Sequence, residues 1–373
     1  MILARDRRSR AAKRGLTIIE LVVAVGLLAL LMASVFAVMR GFIGVWDKSE
    51  SRRARVEESS AIGELLARDL AAVDGGGRGD FLAEWVLFDT NADDAVDTLW
   101  PRLRFVRHAS AAELARLQAR STEKLPDQGL LEIVWVVVPA YKGKKEIDRW
   151  SEGLLLRGEH IAQARDEANA VPSANRDLSF FDTRFFSKSG EPTPGVLNEV
   201  TGGLLWFGFE FATQTTSLGE GWHLGDQLSD AATSWDAWRK ARPNATVHTW
   251  NEPGAGMPKA KKRALLPRRV RLELEFERPR EAQRRTRLAE VLPLGANTML
   301  VDDEKRLPTT AGAFVKIDGE WMKLSSVTGR SVGVQRGMRG TRAANHERGA
   351  RVHFGETYLR EIPIRLSQED WDL

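Results

Sequence analysis

The pattern of hydrophobic and polar positions changes twice along the chain. Between Leu16 and Met39 nearly every position is apolar, and Glu20 is the one charged residue. A helix over this run, at ~1.5 Å per residue, is about 36 Å long, enough to cross a ~30 Å hydrocarbon core with some tilt. From Arg40 to Asp74 the apolar residues thin to one face, with Ile62, Leu65, Leu66, Leu70 and Val73 at helical spacings. Arg52, Arg53, Arg55, Glu57, Glu58, Glu64 and Arg68 mark the other faces as solvated surface. The first proline is Pro101, and Gly75-Gly76-Gly77 is a stop signal. The pattern predicts one helix, membrane-spanning over 16–39 and soluble over 40–74.

Beyond residue 80 the period shortens to that of strands. Candidates are Trp85–Phe88, Leu103–Val106, Leu130–Val138, Gly153–Leu156, Leu204–Ala212 and Val270–Phe276. The continuous run at 130–138 reads as a central strand. The strict alternation at 269–277 predicts one buried face and one wet face. Ala109–Ser121 reads as a helix on the sheet. Residues 157–200 and 213–262 are polar and rich in Gly, Pro, Asn and Asp, and read as insertions or surface loops.

Residues 285–373 form a second β-rich stretch. Residues 312–324 carry a hairpin pattern with Asp318-Gly319 at the turn. Arg336-Gly337-Met338-Arg339-Gly340-Thr341 and His346-Glu347-Arg348-Gly349 follow, with glycines at turn positions. This string is similar to a small β-module of phage-tail and other surface-structure proteins. The last apolar strand, Tyr358–Ile364, is placed to return to the main sheet, which would make the module an insertion. The chain therefore divides into a basic leader (1–15), the span (16–39), the soluble helix (40–74), a β-domain with long loops (75–284) and the β-rich module (285–373).

Charge changes how the first segment is read. Arg5, Arg7, Arg8, Arg10, Lys13 and Arg14 precede the span, opposed only by Asp6. This excess predicts a cytoplasmic N-terminus with the bulk of the chain outside. The formal net charge is +4, of which the leader supplies five, so the remainder is near −1. The basic character thus belongs to the leader and gives no support to nucleic-acid binding. There is no cysteine, so an exported chain rests on its core alone. The 12 tryptophans are spread along the chain, which argues against a single aromatic binding strip. A secretory signal peptide would have a shorter apolar region followed by a small-residue cleavage site. Here the glycine precedes the apolar run, so a cut between Gly15 and Leu16 would remove the charges and keep the helix.

The string Lys13-Arg14-Gly15-Leu16-Thr17-Ile18-Ile19-Glu20 resembles the leader of type IV prepilins and type II secretion pseudopilins. Leu16 stands where those families usually have Phe. The resemblance implies cleavage after Gly15 by prepilin peptidase, N-methylation of Leu16, and Glu20 as an assembly residue. It also implies an α+β fold: a pilin-like long N-terminal helix packed on an antiparallel β-sheet domain, with the module of 285–373 as an extra. Ionised carboxylates are costly in hydrocarbon. Glu20 is therefore expected to meet the α-amino group of a neighbouring subunit, so that two costly charges neutralise each other. Trp46, the polar segment Asp47–Ser60, the helix end Leu65-Leu66-Ala67-Arg68-Asp69-Leu70 and Leu266-Pro267 before the strand at 269–274 narrow the resemblance to the minor pseudopilin J family. Greater size and the extra module set this chain apart from that family.

A member of that family would be a structural subunit at the tip of the periplasmic pseudopilus, helping to initiate assembly for export of folded proteins. It would sit in the bacterial inner membrane with a single pass. Its partners would be other minor pseudopilins, the major pseudopilin, prepilin peptidase and the inner-membrane secretion platform. A minor type IV pilin, or a pilin-anchored periplasmic binding module, is the alternative.

The residues give little sign of catalysis. Gly329-Arg330-Ser331-Val332-Gly333 matches a nucleophile-elbow string but lies between candidate strands with no helix after it. Ser121-Thr122-Glu123-Lys124 lacks its companion motifs. His108, His160, His223, His248, His346 and His353 show no paired ligand spacing. His346 and His353 could be neighbours in a hairpin, but ordinary surface or turn roles are expected for these two. No enzyme activity and no cofactor are expected. One calcium candidate remains: Asp89, Asn91, Asp93, Asp94 and Asp97 offer oxygens at near-alternating positions, as hard cations require. It is no EF-hand, since Asp94 occupies the glycine position and Trp100 the final glutamate position, and a solvated acidic loop competes with it.

Overall fold

A computed structural model describes residues 17–75, 79–88, 98–120, 129–139, 152–161, 197–216, 219–223, 235–237, 266–277, 285–310 and 312–364. The chain clusters into two units, residues 1–56 and 57–373.

The first unit is the greater part of helix α1 (Ile18–Ala71). Over this stretch α1 is long and apolar enough to cross a membrane, and none of its most apolar window is buried. Leu21, Leu28, Leu31, Phe36 and Phe42 are each more than half exposed.

The second unit begins with the last turns of α1 and is α+β. Strands β1 (Phe81–Phe88), β2 (Thr98–His108), β3 (Leu130–Pro139), β4 (Gly153–Ile161), β5 (Leu197–Thr216), β6 (Gly219–His223), β7 (Trp235–Asp236) and β8 (Arg269–Phe276) join the C-terminal strand of the chain in a curled sheet. All pairings are antiparallel, in the order C-terminal strand, β8, β5, β4, β3, β2, β1, β7, with β6 on β5. β3 lies inside this order, and every one of its positions is buried. That double-sided burial explains its unbroken apolar sequence. Ile62, Leu66, Leu70 and Val73 pack into one core with Phe81, Phe105, Trp135 and Phe209. Helix α2 (Ala111–Arg120) adds Leu114 and Leu117.

A second core is built by β9 (Thr298–Leu300), β10 (Phe314–Ile317), β11 (Glu320–Thr328) and β12 (Ser331–Met338), ordered β10-β11-β12-β9. It contains Leu288, Val301, Ile317, Met322, Val334 and Val352. The chain then re-enters the main sheet as β13 (Glu356–Pro363), paired with β8. The module therefore sits between two strands that are neighbours in the main sheet.

Three expectations need correction. The stretches 157–200 and 213–262 are not wholly loops. Residues 157–161 finish β4, 197–200 begin β5, and 213–216 with 219–223 form its extension and β6. These strand ends are polar or Gly-rich, so pairing sustains them and apolar patterning does not reveal them. The polar face of β8 is only partly wet: Arg269 is exposed, Arg271 and Glu273 are half-buried, and Glu275 and Glu277 are buried. His346 and His353 are not surface residues, since each is only 2% exposed. The acidic residues Asp89, Asn91, Asp93, Asp94 and Asp97 lie outside the described residues, as do Gly15, Leu16 and Ser121–Lys124.

Candidate functional site

The N-terminal site starts from the first helical turn. The first four amides of a helix have no partner within it. At α1, Thr17 and Glu20 satisfy two of them reciprocally. The Glu20 amide donates to Thr17 Oγ1 at 3.2 Å, and the Thr17 amide donates to Glu20 Oε2 at 3.0 Å. The Thr17 hydroxyl adds a third bond to Glu20 Oε2 at 3.1 Å. This is a capping box, with Thr17 as N-cap and Glu20 at the third helical position. Its signature, Thr-x-x-Glu before an apolar run, is visible in the sequence but is hidden behind the more conspicuous anomaly of a carboxylate in a span. Ser110 and Glu113 repeat the device at α2, at 2.8 Å and 3.3 Å. There Arg107 also holds Glu113, through bonds of 2.7 Å and 3.2 Å. The Arg107 bonds and the capping amide bring the Glu113 carboxyl down to about 2.

Glu20 therefore has two capacities. Its carboxylate caps its own helix, which fixes where α1 begins. It also leaves a negative charge at the helix end nearest residue 16.

The C-terminal end of α1 carries a second polar centre. Asp69 is 1% exposed. It accepts from Arg157 Nε and Nη2, both at 2.8 Å, and from the Trp135 indole at 3.1 Å. Arg107 Nε lies 3.3 Å away as an ion pair without a hydrogen bond. A buried carboxylate is tolerated only when paired and hydrogen-bonded, and here two guanidinium groups and an indole surround it. No spacing rule links residue 69 to residues 107, 135 and 157, so the centre was not legible from sequence.

The inserted module joins the main sheet through β8. Arg339 Nη1 bonds Glu275 at 2.6 Å and Nη2 bonds Glu273 at 2.7 Å. Its guanidinium also lies over Trp321, Phe314 and Trp206, at 4.2, 4.5 and 5.0 Å from the ring centres. Glu277 takes Arg285 at 2.6 Å and His353 Nδ1 at 2.5 Å. Burial opposes ionisation of Glu277, but these two partners outweigh it and hold its carboxyl below the ordinary range. The third seam group is Lys316, fully buried. Its amine donates to the Leu205 carbonyl at 3.1 Å and sits 3.8 Å from the Trp100 ring centre. Burial pushes this amine well below its usual range.

Inside the module the Arg336–Gly349 string resolves into anchors and turns. Arg336 forms a bidentate pair with Glu320, both bonds at 2.7 Å. Gly337, Gly340 and Gly349 have φ of 64°, 72° and 89°, a region that favours glycine. Thr341 Oγ1 accepts from the Trp321 amide at 2.9 Å and donates to the Met338 carbonyl at 2.7 Å. The string Gly329–Gly333 is the β11–β12 turn and the start of β12, so no helix follows Ser331. Among the described residues, no three His, Asp or Glu side chains are grouped to hold a metal ion.

No family model matches the chain, and neither a curated protein nor a solved structure matches it. The functional reading therefore rests on the chain's own residues.

Proposed function

We propose that the chain is a minor pseudopilin of the J type, a structural subunit at the tip of a type II secretion pseudopilus. The observation that carries this reading is the start of α1. A helix that begins at a Thr17–Glu20 capping box, directly after Lys13-Arg14-Gly15-Leu16, continues as an exposed apolar span. Prepilin peptidase would cut after Gly15 and methylate Leu16. The bulk of the chain would then be periplasmic, anchored by residues 16–39 in the inner membrane. Helix and sheet surfaces would engage other minor pseudopilins, and filament growth on that tip would export folded proteins. The role requires no bond-making chemistry and no cofactor.

The inserted module, with its own core, favours a second reading: a periplasmic binding module carried on a pilin anchor. In vivo cross-linking from the exposed helix, followed by affinity purification, separates the two. Recovery of the other minor pseudopilins encoded by the same genome supports the first. An intact, processed chain that never cross-links to them contradicts it.

A further inference from the structure

We propose that His346 is a pH-sensitive latch that, as an imidazolium, holds the 337–346 loop closed on the β10–β11 hairpin. The ring lies between two carboxylates. Nδ1 is 2.6 Å from Asp318 Oδ2, and Nε2 is 2.8 Å from Glu320 Oε2. An ionised carboxylate only accepts hydrogen bonds, so both ring nitrogens must carry protons for both bonds to exist. The charged groups around the ring are Asp318 from the hairpin turn, Glu320 from β11 and, across Glu320, Arg336 from β12. Two positive and two negative charges balance in this set. A neutral ring would leave a lone pair facing one carboxylate and a net negative charge in a buried place.

The parts fastened by the ring give the latch its reach. Glu320 also accepts the amides of Gly337 and Ala344, each at 2.9 Å, so the loop hangs on the same carboxylate as the ring. His346 pairs with Leu292 through the backbone. Arg339, which seats the module on Glu273 and Glu275, belongs to this loop. Asp318 holds a left-handed backbone, φ 51°, at the turn that presents its carboxylate to the ring. Releasing the proton therefore loosens the loop that carries the seam arginine.

The direction of the pH effect follows from the environment. Burial disfavours the charged ring, but the bonds to Asp318 and Glu320 outweigh it and raise its affinity for the proton. A group bound more tightly in the folded state contributes fully below its unfolded value of about 6.5, and that contribution disappears as pH rises through the folded value.

The test uses the full-length processed chain in detergent micelles, labelled with nitrogen-15 at histidine. At neutral pH both His346 ring nitrogens should report N–H, and the ring should titrate above free histidine. Hydrogen exchange, corrected for intrinsic rate, should show protection of 337–346 falling roughly tenfold in step with that titration. H346Q should lack the step and exchange at the unlatched level throughout. A neutral His346 at pH 6.5, or loop protection unchanged while the ring loses its proton, overturns the latch. A step that persists in H346Q overturns it equally.

Discussion

Arg157 of β4 grips Asp69 of α1 with two parallel bonds of 2.8 Å, joining residues 88 positions apart inside the core. This pair ties the last helical turns to the sheet, where Leu66 and Leu70 of the same turns belong to the core. Arg157 is held more firmly charged than usual: burial opposes this, and Asp69 and Glu159 overcome it. Replacing Asp69 leaves two buried guanidinium groups with only Glu159 and Glu113 to balance them, which costs up to about 3–5 kcal/mol. Asp69→Asn should lower stability by that order in thermal or urea unfolding. Loss below ~1 kcal/mol would show that the pair is incidental.

Arg339 makes a different demand. Its planar group pairs with two carboxylates and stacks among three aromatic rings. Lysine keeps the charge but has neither the fork nor the plane. Arg339→Lys should therefore destabilise the chain by about 2 kcal/mol or more, with greater protease sensitivity in the module. Unfolding equilibria and limited proteolysis read this directly, and a variant as stable as the parent would discount the stacked seam.

Gly355 stands where the module rejoins the sheet, and its amide donates to Glu275 at 2.8 Å. A Cβ there would lie 2.2 Å from the Phe276 carbonyl oxygen, and backbone cannot step aside as a flexible side chain can. Gly355→Ala should cost roughly 1–3 kcal/mol, the range for forced overpacking and backbone shifts, as measured by thermal melting.

Acid acts through Glu320. Burial raises its carboxyl and the bonds from Arg336, His346, Ala344 and Gly337 overcome this, bringing it down to about 2. A carboxyl held below its ordinary 4.5 stabilises the fold above that pH and loses the contribution as pH falls toward 2. Glu320→Gln should melt earlier at neutral pH and show a shallower decline between those limits. An unchanged acid slope would shift the effect to other carboxylates.

The sequence made some of these elements legible and concealed others. The period at Ile62, Leu66, Leu70 and Val73 marked the helix face that enters the core. The apolar run at 130–138 marked a strand buried on both faces. The alternation at 269–277 located β8 but misjudged its outer face, because the groups that cover Glu275 and Glu277 come from residues 285, 339 and 353. Local pattern carries no information on such distant partners. The same limit hid Asp69, His346 and His353, whose arginine or carboxylate partners lie far along the chain. The Thr17–Glu20 box is a different case: its Thr-x-x-Glu spacing is local, but the charge of Glu20 in an apolar span draws the reading to assembly and away from capping.

Glu20 separates cap from charge. Glutamine at this position still accepts the Thr17 amide, so Glu20→Gln keeps the capping box and removes the negative charge. Alanine removes both. On the filament account Glu20→Gln inserts and is processed normally but fails to assemble, as scored by cross-linking to neighbouring subunits. Normal assembly of Glu20→Gln would mean that the residue serves only its own helix.

The central claim is that this chain is a processed pilin-type subunit, and its N-terminus tests that most directly. The chain should be co-expressed with a prepilin peptidase, recovered from membranes and measured by intact-mass and peptide mass spectrometry. The account predicts a first residue of Leu16 bearing one methyl group, with residues 1–15 absent. A chain that keeps its leader, or one cut elsewhere so that the apolar helix is lost, would contradict it.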